Sequence, residues 1–254
     1  MKLLKASLLL AAAATTTGCV IHIDGKGKKA DVELQKTLSI PASDLSKFNI
    51  DAGAGYLNVR GIEGQSHIEV VADIRTTKEQ DFTFSLDASG DTAFLIAEHH
   101  HSSGFWYGKS PQINLTITMP KQMLLDIEDG SGDIEIRNID GSLFVDDGSG
   151  ATDIARINGD IELDDGSGDV VLEDINGSVL LDDGSGSLRI SNVTGDVEIE
   201  DGSGDLTVLN AGGTVTVDDG SGDINVDIAG GLNIIDSGSG ELNISKIKGE
   251  VYID

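Results

Sequence analysis

The chain has 254 residues, with 44 Asp and Glu against 17 Lys and Arg, and a net charge of −27 at pH 7. That excess repels phosphate backbones and excludes DNA or RNA as a partner. A single cysteine excludes an intramolecular disulfide, and the length allows one large or two modest folded units.

The first element is Met1-Lys-Leu-Leu-Lys-Ala-Ser-Leu-Leu-Leu-Ala-Ala-Ala-Ala14, two lysines followed by a short apolar run. The run is too short to span a bilayer and has the form of a secretory signal, assigned here to residues 1–18. It ends in Thr16-Thr17-Gly18-Cys19, which resembles a bacterial lipoprotein signal, where a small residue precedes a Cys that becomes the lipidated first residue. Gly18 and Cys19 match that pattern, and Thr16 departs from it, because Leu is usual there. The resemblance implies a lipid on Cys19 that anchors the chain to a membrane. Val20 stands where an Asp would signal inner-membrane retention, which implies an outer-membrane lipoprotein. Residues 19–35 carry Lys26, Lys28 and Lys29 among Gly and Asp and read as a tether.

Residues 36–126 read as a β-rich cap. Ile50-Asp-Ala-Gly-Ala-Gly-Tyr-Leu-Asn-Val-Arg-Gly-Ile-Glu-Gly64 is a degenerate form of the repeat that follows. Longer alternating runs come after it: Ile68, Val70, Ala72 and Ile74, then Phe82, Phe84 and Leu86, then Ile113, Leu115, Ile117 and Met119. These predict antiparallel strands that cover the first rung of the stack. One loop in the cap is chemically unusual, His99-His-His101 followed by Phe105-Trp106-Tyr107. Alternation places His99 and His101 on one side, a candidate pair for zinc or copper. Phe105, Trp106 and Tyr107 are candidate binding residues, suited to a sugar ring or a membrane interface. The competing reading is a plain exposed hairpin loop.

From residue 127 to 254 the chain is periodic. Gly-Ser-Gly recurs every 18 residues, starting at Gly130, Gly148, Gly166, Gly184, Gly202, Gly220 and Gly238. Stacking the units yields apolar columns. One is Ile127, Val145, Leu163, Leu181, Ile199, Val217, Ile235 and Ile253. Another is Ile136, Ile154, Leu172, Ile190, Val208, Val226 and Ile244, and a third is Ile139, Ile157, Ile175, Val193, Ala211, Ala229 and Ile247. Two more are interrupted only by Thr152 and Asn233. Apolar residues two apart, β-branched and broken by Gly at each corner, predict strands rather than helix. The fold class is therefore all-β, a parallel β-solenoid of seven coils with two short strands per coil. At ~4.8 Å per coil the rod is about 34 Å long, and the usual hand of parallel connections predicts a right-handed coil.

The solenoid holds 30 Asp and Glu against 5 Lys and Arg, so nearly all the charge is here. Three acidic columns run along it. They are Glu128, Asp146, Asp164, Asp182, Glu200, Asp218 and Asp236; then Asp129, Asp147, Asp165, Asp183, Asp201 and Asp219; then Asp133, Asp169, Asp205, Asp223 and Glu241, with Ala151 and Ser187 in the gaps. Like charges ~4.8 Å apart cost roughly 0.9 kcal/mol per pair in water. Calcium is one means of relief, with Asp129, Asp147, Asp165, Asp183, Asp201, Asp219, Asp133, Asp169, Asp205 and Asp223 as candidate ligands. Diffuse screening of a solvated acidic face is the other. The serine column from Ser131 to Ser239 reads as structural, with stacked hydroxyls bonded along the rod, because all five histidines precede the solenoid and a nucleophile needs a base.

The far end stops within a strand, Val251-Tyr-Ile-Asp254. Either Lys246, Lys248 and Glu250 protect this edge or it docks a partner, so end-to-end self-association is an expected possibility. From about residue 36 onward the chain resembles a widespread bacterial family of β-solenoid proteins catalogued as "putative adhesins". The resemblance rests on the degenerate coil at Gly53, the strand ending Ile117-Thr-Met-Pro120 and the Gly-Asp-Ile coils. It implies surface exposure and binding of a protein or glycan. The function read from the sequence is a non-enzymatic cell-envelope lipoprotein whose rod serves adhesion, binding or scaffolding. A periplasmic maintenance factor is the alternative. A polysaccharide-acting β-helix enzyme is disfavoured, because the coils are uniform, cations are few and Phe144 and Tyr252 are the only aromatics of the solenoid.

Overall fold

The structure, a computed structural model, describes residues 29–100, 106 and 108–254. Cys19, His101, Phe105 and Tyr107 lie outside the described residues. Seven strands precede the repeats: β1 (Val32–Pro41), β2 (Lys47–Ala54), β3 (Leu57–Ile62), β4 (His67–Thr76), β5 (Phe82–Ser89), β6 (Thr92–His99) and β7 (Gln112–Pro120). The repeats contribute β8 (Leu124–Ser131), β9 (Ile134–Ile139), β10 (Leu143–Asp147), β11 (Thr152–Ile157), β12 (Ile161–Asp165), β13 (Val170–Ile175), β14 (Val179–Asp183), β15 (Leu188–Val193), β16 (Val197–Asp201), β17 (Leu206–Ala211), β18 (Thr214–Asp219), β19 (Ile224–Ala229), β20 (Gly231–Asp236), β21 (Leu242–Ile247) and β22 (Val251–Ile253).

Each coil places one strand in each of two 11-stranded sheets. The even-numbered strands from β8 to β22 lie in one, called here the acidic sheet, and the odd-numbered strands from β9 to β21 lie in the other. Pairing is parallel and in register at the sequence period, as in Ile127, Val145 and Leu163. The cause is strict alternation. In β10, Leu143, Val145 and Asp147 point inward while Phe144 and Asp146 point to solvent. The column Ile136, Ile154, Leu172, Ile190, Val208 and Val226 is fully buried, at 0% exposure. Each such side chain contributes on the order of 2 kcal/mol of burial.

Close stacking dictates the corners. In the third Gly-Ser-Gly, Gly168 has φ +154, and a Cβ there would lie 1.5 Å from the carbonyl oxygen of Gly150 one coil below. No side chain fits at that position. These corners are joined by backbone groups: the N–H of Gly132 donates to Ser149 O at 2.9 Å, and that of Gly150 to Ser167 O at 3.0 Å. The expected bonding by serine hydroxyls is thus replaced by main-chain bonding. A second corner signal is a column of left-handed residues, Asn138, Arg156, Asp174, Asn192, Asn210, Ile228 and Lys246, with φ from 57 to 65. Asn and Asp tolerate this conformation; Ile does not.

The last full coil departs from the period. Val215 pairs with Leu232 and Val217 with Ile234, and register returns at Asp218 with Asp236. Leu232 and Ile234 are each 1% exposed, whereas Ile235 is 49% exposed. The predicted column through Ile235 is therefore corrected to Ile234, and Asn233 leaves the core for the outer face. A one-residue slip swaps the two faces of a strand, and the β-bulge before Asp236 restores the original phase.

In the cap, β2 and β3 form the expected degenerate coil, parallel to β8 and β9. β4 is antiparallel to β1 and β7, and β5 is antiparallel to β6. The purely antiparallel expectation is corrected for β6 and β7. These two are also parallel to β2 and β3 and form a further coil beneath the degenerate one. The end of β6 and the start of β7 therefore stand where a Gly-Ser-Gly corner joins the strands of a repeat coil.

Candidate functional site

The three acidic columns occupy three different environments. Asp129, Asp147, Asp165, Asp183, Asp201 and Asp219 point into the rod, each 0–5% exposed. The expectation that they form part of a solvated face is corrected. Alternation starting from the inward Ile127, Val145 and Leu163 carries the residue two positions on to the same side. Each aspartate in the middle of the column fastens its own corner. The Oδ1 of Asp147, Asp165, Asp183, Asp201 and Asp219 accepts the backbone N–H of the serine two residues on, at 2.9–3.1 Å.

The second oxygens differ. Asp147 Oδ2 accepts the hydroxyl of buried Thr152 at 3.0 Å, which explains the break in that apolar column. The Oδ2 atoms of Asp129, Asp165, Asp183, Asp201 and Asp219 are buried without a hydrogen-bond partner. Burial, and then the neighbouring carboxyls, raise these acids well above the ordinary 3.8, Asp129 to about 8, Asp165 to about 6 and Asp201 to about 7. Asp147, Asp183 and Asp219 are raised by burial, against the opposing pull of the hydrogen bonds they accept.

The column of Asp133, Asp169, Asp205 and Asp223 lies outside, at the corner. Their Oδ1 atoms accept backbone N–H groups of the next coil, from Ala151 at 3.2 Å, Ser187 at 3.0 Å, Asp223 at 3.2 Å and Glu241 at 2.8 Å. The ten residues predicted as calcium ligands therefore stand on opposite sides of the wall. Among the described residues, no group of three or more His, Cys, Asp or Glu side chains gathers where one metal ion could be held.

The remaining column, Glu128, Asp146, Asp164, Asp182, Glu200, Asp218 and Asp236, is exposed on the acidic sheet. Beside it runs a second outward column in which apolar and acidic groups mix: Phe94, Asn49, Asp126, Phe144, Glu162, Leu180 and Glu198. Phe94, Phe144 and Leu180 are 40–44% exposed. The five Lys and Arg residues of the solenoid, Arg137, Arg156, Arg189, Lys246 and Lys248, all lie in or beside strands of the opposite sheet. There Arg137 pairs with Asp153 and with Glu135, and Lys246 pairs with Asp227 at 3.0 Å. From β8 to β22 one face of the rod thus carries acidic and apolar but no cationic side chains, with Lys47 of β2 beside Phe94 at the cap end, and the other face is charge-balanced. Sequence spacing alone holds this segregation, since every solenoid cation falls in the same half of the 18-residue unit.

At the end of β6, His99 packs edge-on against Phe82, with ring centroids 5.8 Å apart. Burial lowers its basicity, and its Nε2 is buried without a partner. His100 Nε2 meets Thr83 Oγ1 at 3.0 Å. Trp106 is half-buried.

The architecture recurs in a solved structure. A "putative adhesin" from Bacteroides fragilis superposes with a TM-score of 0.55 at 18% identity, over 84% of this chain and 97% of its own. A "putative cell adhesion protein" from Clostridium sporogenes gives a TM-score of 0.43 at 14% identity, over 83% and 99%. A "putative adhesin" from Parabacteroides merdae gives 0.29 at 14% identity, over 91% and 98%. No curated protein matches the chain. The Toastrack DUF4097 family matches residues 65–252, most of the cap and all seven coils, and the chain belongs to that family.

Proposed function

We propose that this protein is a non-enzymatic binding rod of the cell envelope, held to the outer membrane by a lipid on Cys19 and docking its partner on the acidic sheet. The observation that carries this reading is the segregation of the rod's surface. The acidic sheet from β8 to β22 contains no Lys or Arg, and it presents Phe144 and Leu180 to solvent beside an unbroken carboxylate column, with Phe94 of β6 and Lys47 of β2 at the cap end. Charge aimed in one direction steers a complementary partner, and exposed apolar side chains supply contact area once it arrives. A protein or glycan surface bearing cationic groups fits this chemistry. The description of the Bacteroides fragilis neighbour as a "putative adhesin" supports a binding role of this kind.

The test combines labelled-palmitate incorporation with protease shaving of intact cells. The native chain should take up label and sediment with membranes, and Cys19→Ser should do neither. Clipping of the rod on intact cells is the outcome expected of an adhesin. A chain that takes up no label and stays soluble with Cys19 intact would overturn the anchored reading. An anchored chain that resists shaving would move the rod to the periplasmic side and favour envelope maintenance over adhesion.

A further inference from the structure

We propose that the interior aspartate column, Asp129, Asp147, Asp165, Asp183, Asp201 and Asp219, is a proton-holding ladder that makes the rod a pH-responsive element, tight when the ladder is loaded and looser as its protons leave.

Geometry supplies the argument. The six side chains are stacked by in-register parallel pairing, Asp147 on Asp129, Asp165 on Asp147, and so on to Asp219. Parallel strands sit ~4.8 Å apart, so neighbouring carboxyl groups are within reach of one another with small side-chain rotations. The lower end of the column is closed by Ala52, which pairs with Asp129. Five of the six residues have a buried Oδ2 with no partner. An isolated charge in that position is costly, and a buried acid relieves the cost by taking up a proton.

Among the described residues no Lys, Arg or His bears on the column. The titratable groups that bear on the column are other carboxyls: its own neighbours, the outward Asp146, Asp164, Asp182, Asp218 and Asp236, and Asp133 and Asp169 at the corners. Every one of them pushes the ladder toward the neutral form. A protonated Oδ2–H can then donate to a carboxyl oxygen one rung away, which satisfies the orphan atom and links coils inside the rod. The stacked groups titrate together, so protons belong to the ladder rather than to single residues. Thr152 is the exception that fits, because its hydroxyl gives Asp147 Oδ2 a donor without a proton being taken up.

The experiment measures thermal unfolding of the full chain from pH 5 to pH 8 at fixed ionic strength. It compares native protein with an interior triple variant, D165N/D183N/D201N, and an exterior one, D146N/D164N/D182N. Asn keeps the corner-fastening oxygen and imitates the protonated acid. The native Tm should be several degrees lower at pH 8 than at pH 5. The interior variant should lose most of that fall, and the exterior variant should keep it. Equal pH dependence in the interior variant and the native chain would overturn the proposal. If the interior variant does not fold, infrared spectra of the native chain at pH 6 decide. A protonated-carboxyl band that disappears on unfolding supports the ladder, and absence of the band refutes it. Stabilisation by calcium chloride beyond matched sodium chloride, lost in the interior variant, would also refute it, since the column would then hold a cation.

Discussion

Asp165 stacks directly on Asp147 inside the rod, yet only Asp147 has a hydroxyl, that of Thr152, on its second carboxyl oxygen. Both residues follow an Asp and precede Gly-Ser-Gly, yet their second oxygens differ in partner, and the difference comes from one side chain in the following strand. Thr152→Val would make the second coil like the third, where Val170 fills the same place. Loss of this buried bond should cost about 1 kcal/mol at pH 8, where the bond supports the ionised form of Asp147, and less at pH 5. Urea unfolding at the two pH values checks this, and equal losses would contradict it.

The sign of the pH dependence follows from the raised acids. The folded ladder holds protons that the unfolded chain, with carboxyls near 3.8, has released. Stability from this source is complete below about pH 4 and is lost as pH rises through about 6, 7 and 8, the values of Asp165, Asp201 and Asp129. Asp140, which accepts hydrogen bonds from Lys121 and Asn158, has the opposite sign but lies at the surface, where the effect is small. The chain should accordingly release protons on unfolding at pH 6, measurable by potentiometry in weakly buffered solution. Proton uptake on unfolding would show the reverse linkage.

Gly168→Ala should be severe, because its Cβ would lie 1.5 Å from the carbonyl oxygen of Gly150 and the backbone has φ +154. The coils must separate locally or the corner must refold, at a cost of roughly 3 kcal/mol or more. Gly64→Ala, where nothing lies within 4 Å, is the matched control, with strain from φ +72 alone. A Gly168→Ala chain no less stable than the control would disprove tight stacking at this corner.

Ile228 is the reverse case. It holds φ 65 in a column where Asn occupies three of the equivalent positions, Asn138, Asn192 and Asn210. Ile228→Asn should raise stability by about 0.5–1 kcal/mol, the relief of a left-handed β-branched residue less some lost burial. A rise in the urea midpoint with unchanged slope is the expected reading, and a fall would mean that apolar burial of Ile228 outweighs its backbone strain.

Much of this molecule can be read from its residues, because a fixed 18-residue period and strict alternation leave few choices. What was not legible has identifiable causes. The inward Asp147 follows from alternation with Val145, but the habit of placing carboxylates in water hides it. The slip at Leu232 and Ile234 was ambiguous because Gly230-Gly231 and Ile234-Ile235 allow either phase. The β6–β7 coil was hidden because chain order does not reveal that a later pair stacks beneath an earlier one. The segregation of Phe144 and Leu180 from Arg137 and Arg189 needs only the assignment of each half-unit to a sheet.

The placement of β6 and β7 under β2 and β3 has a consequence for how the chain reaches this structure. Successive coils meet across a single period, as Asn158 does with Asp140, 18 residues apart, whereas the cap joins Asn49 to Asp126 across 77 residues. Short closures form quickly and long ones slowly. We expect coils to zip up from within the repeats while the cap lags and seals the first rung last. Pulsed hydrogen exchange during refolding should then protect β12–β16 before β2 and β6; simultaneous protection would argue against this order. The slow step in making the rod would in that case be the closing of its end, not the building of its length.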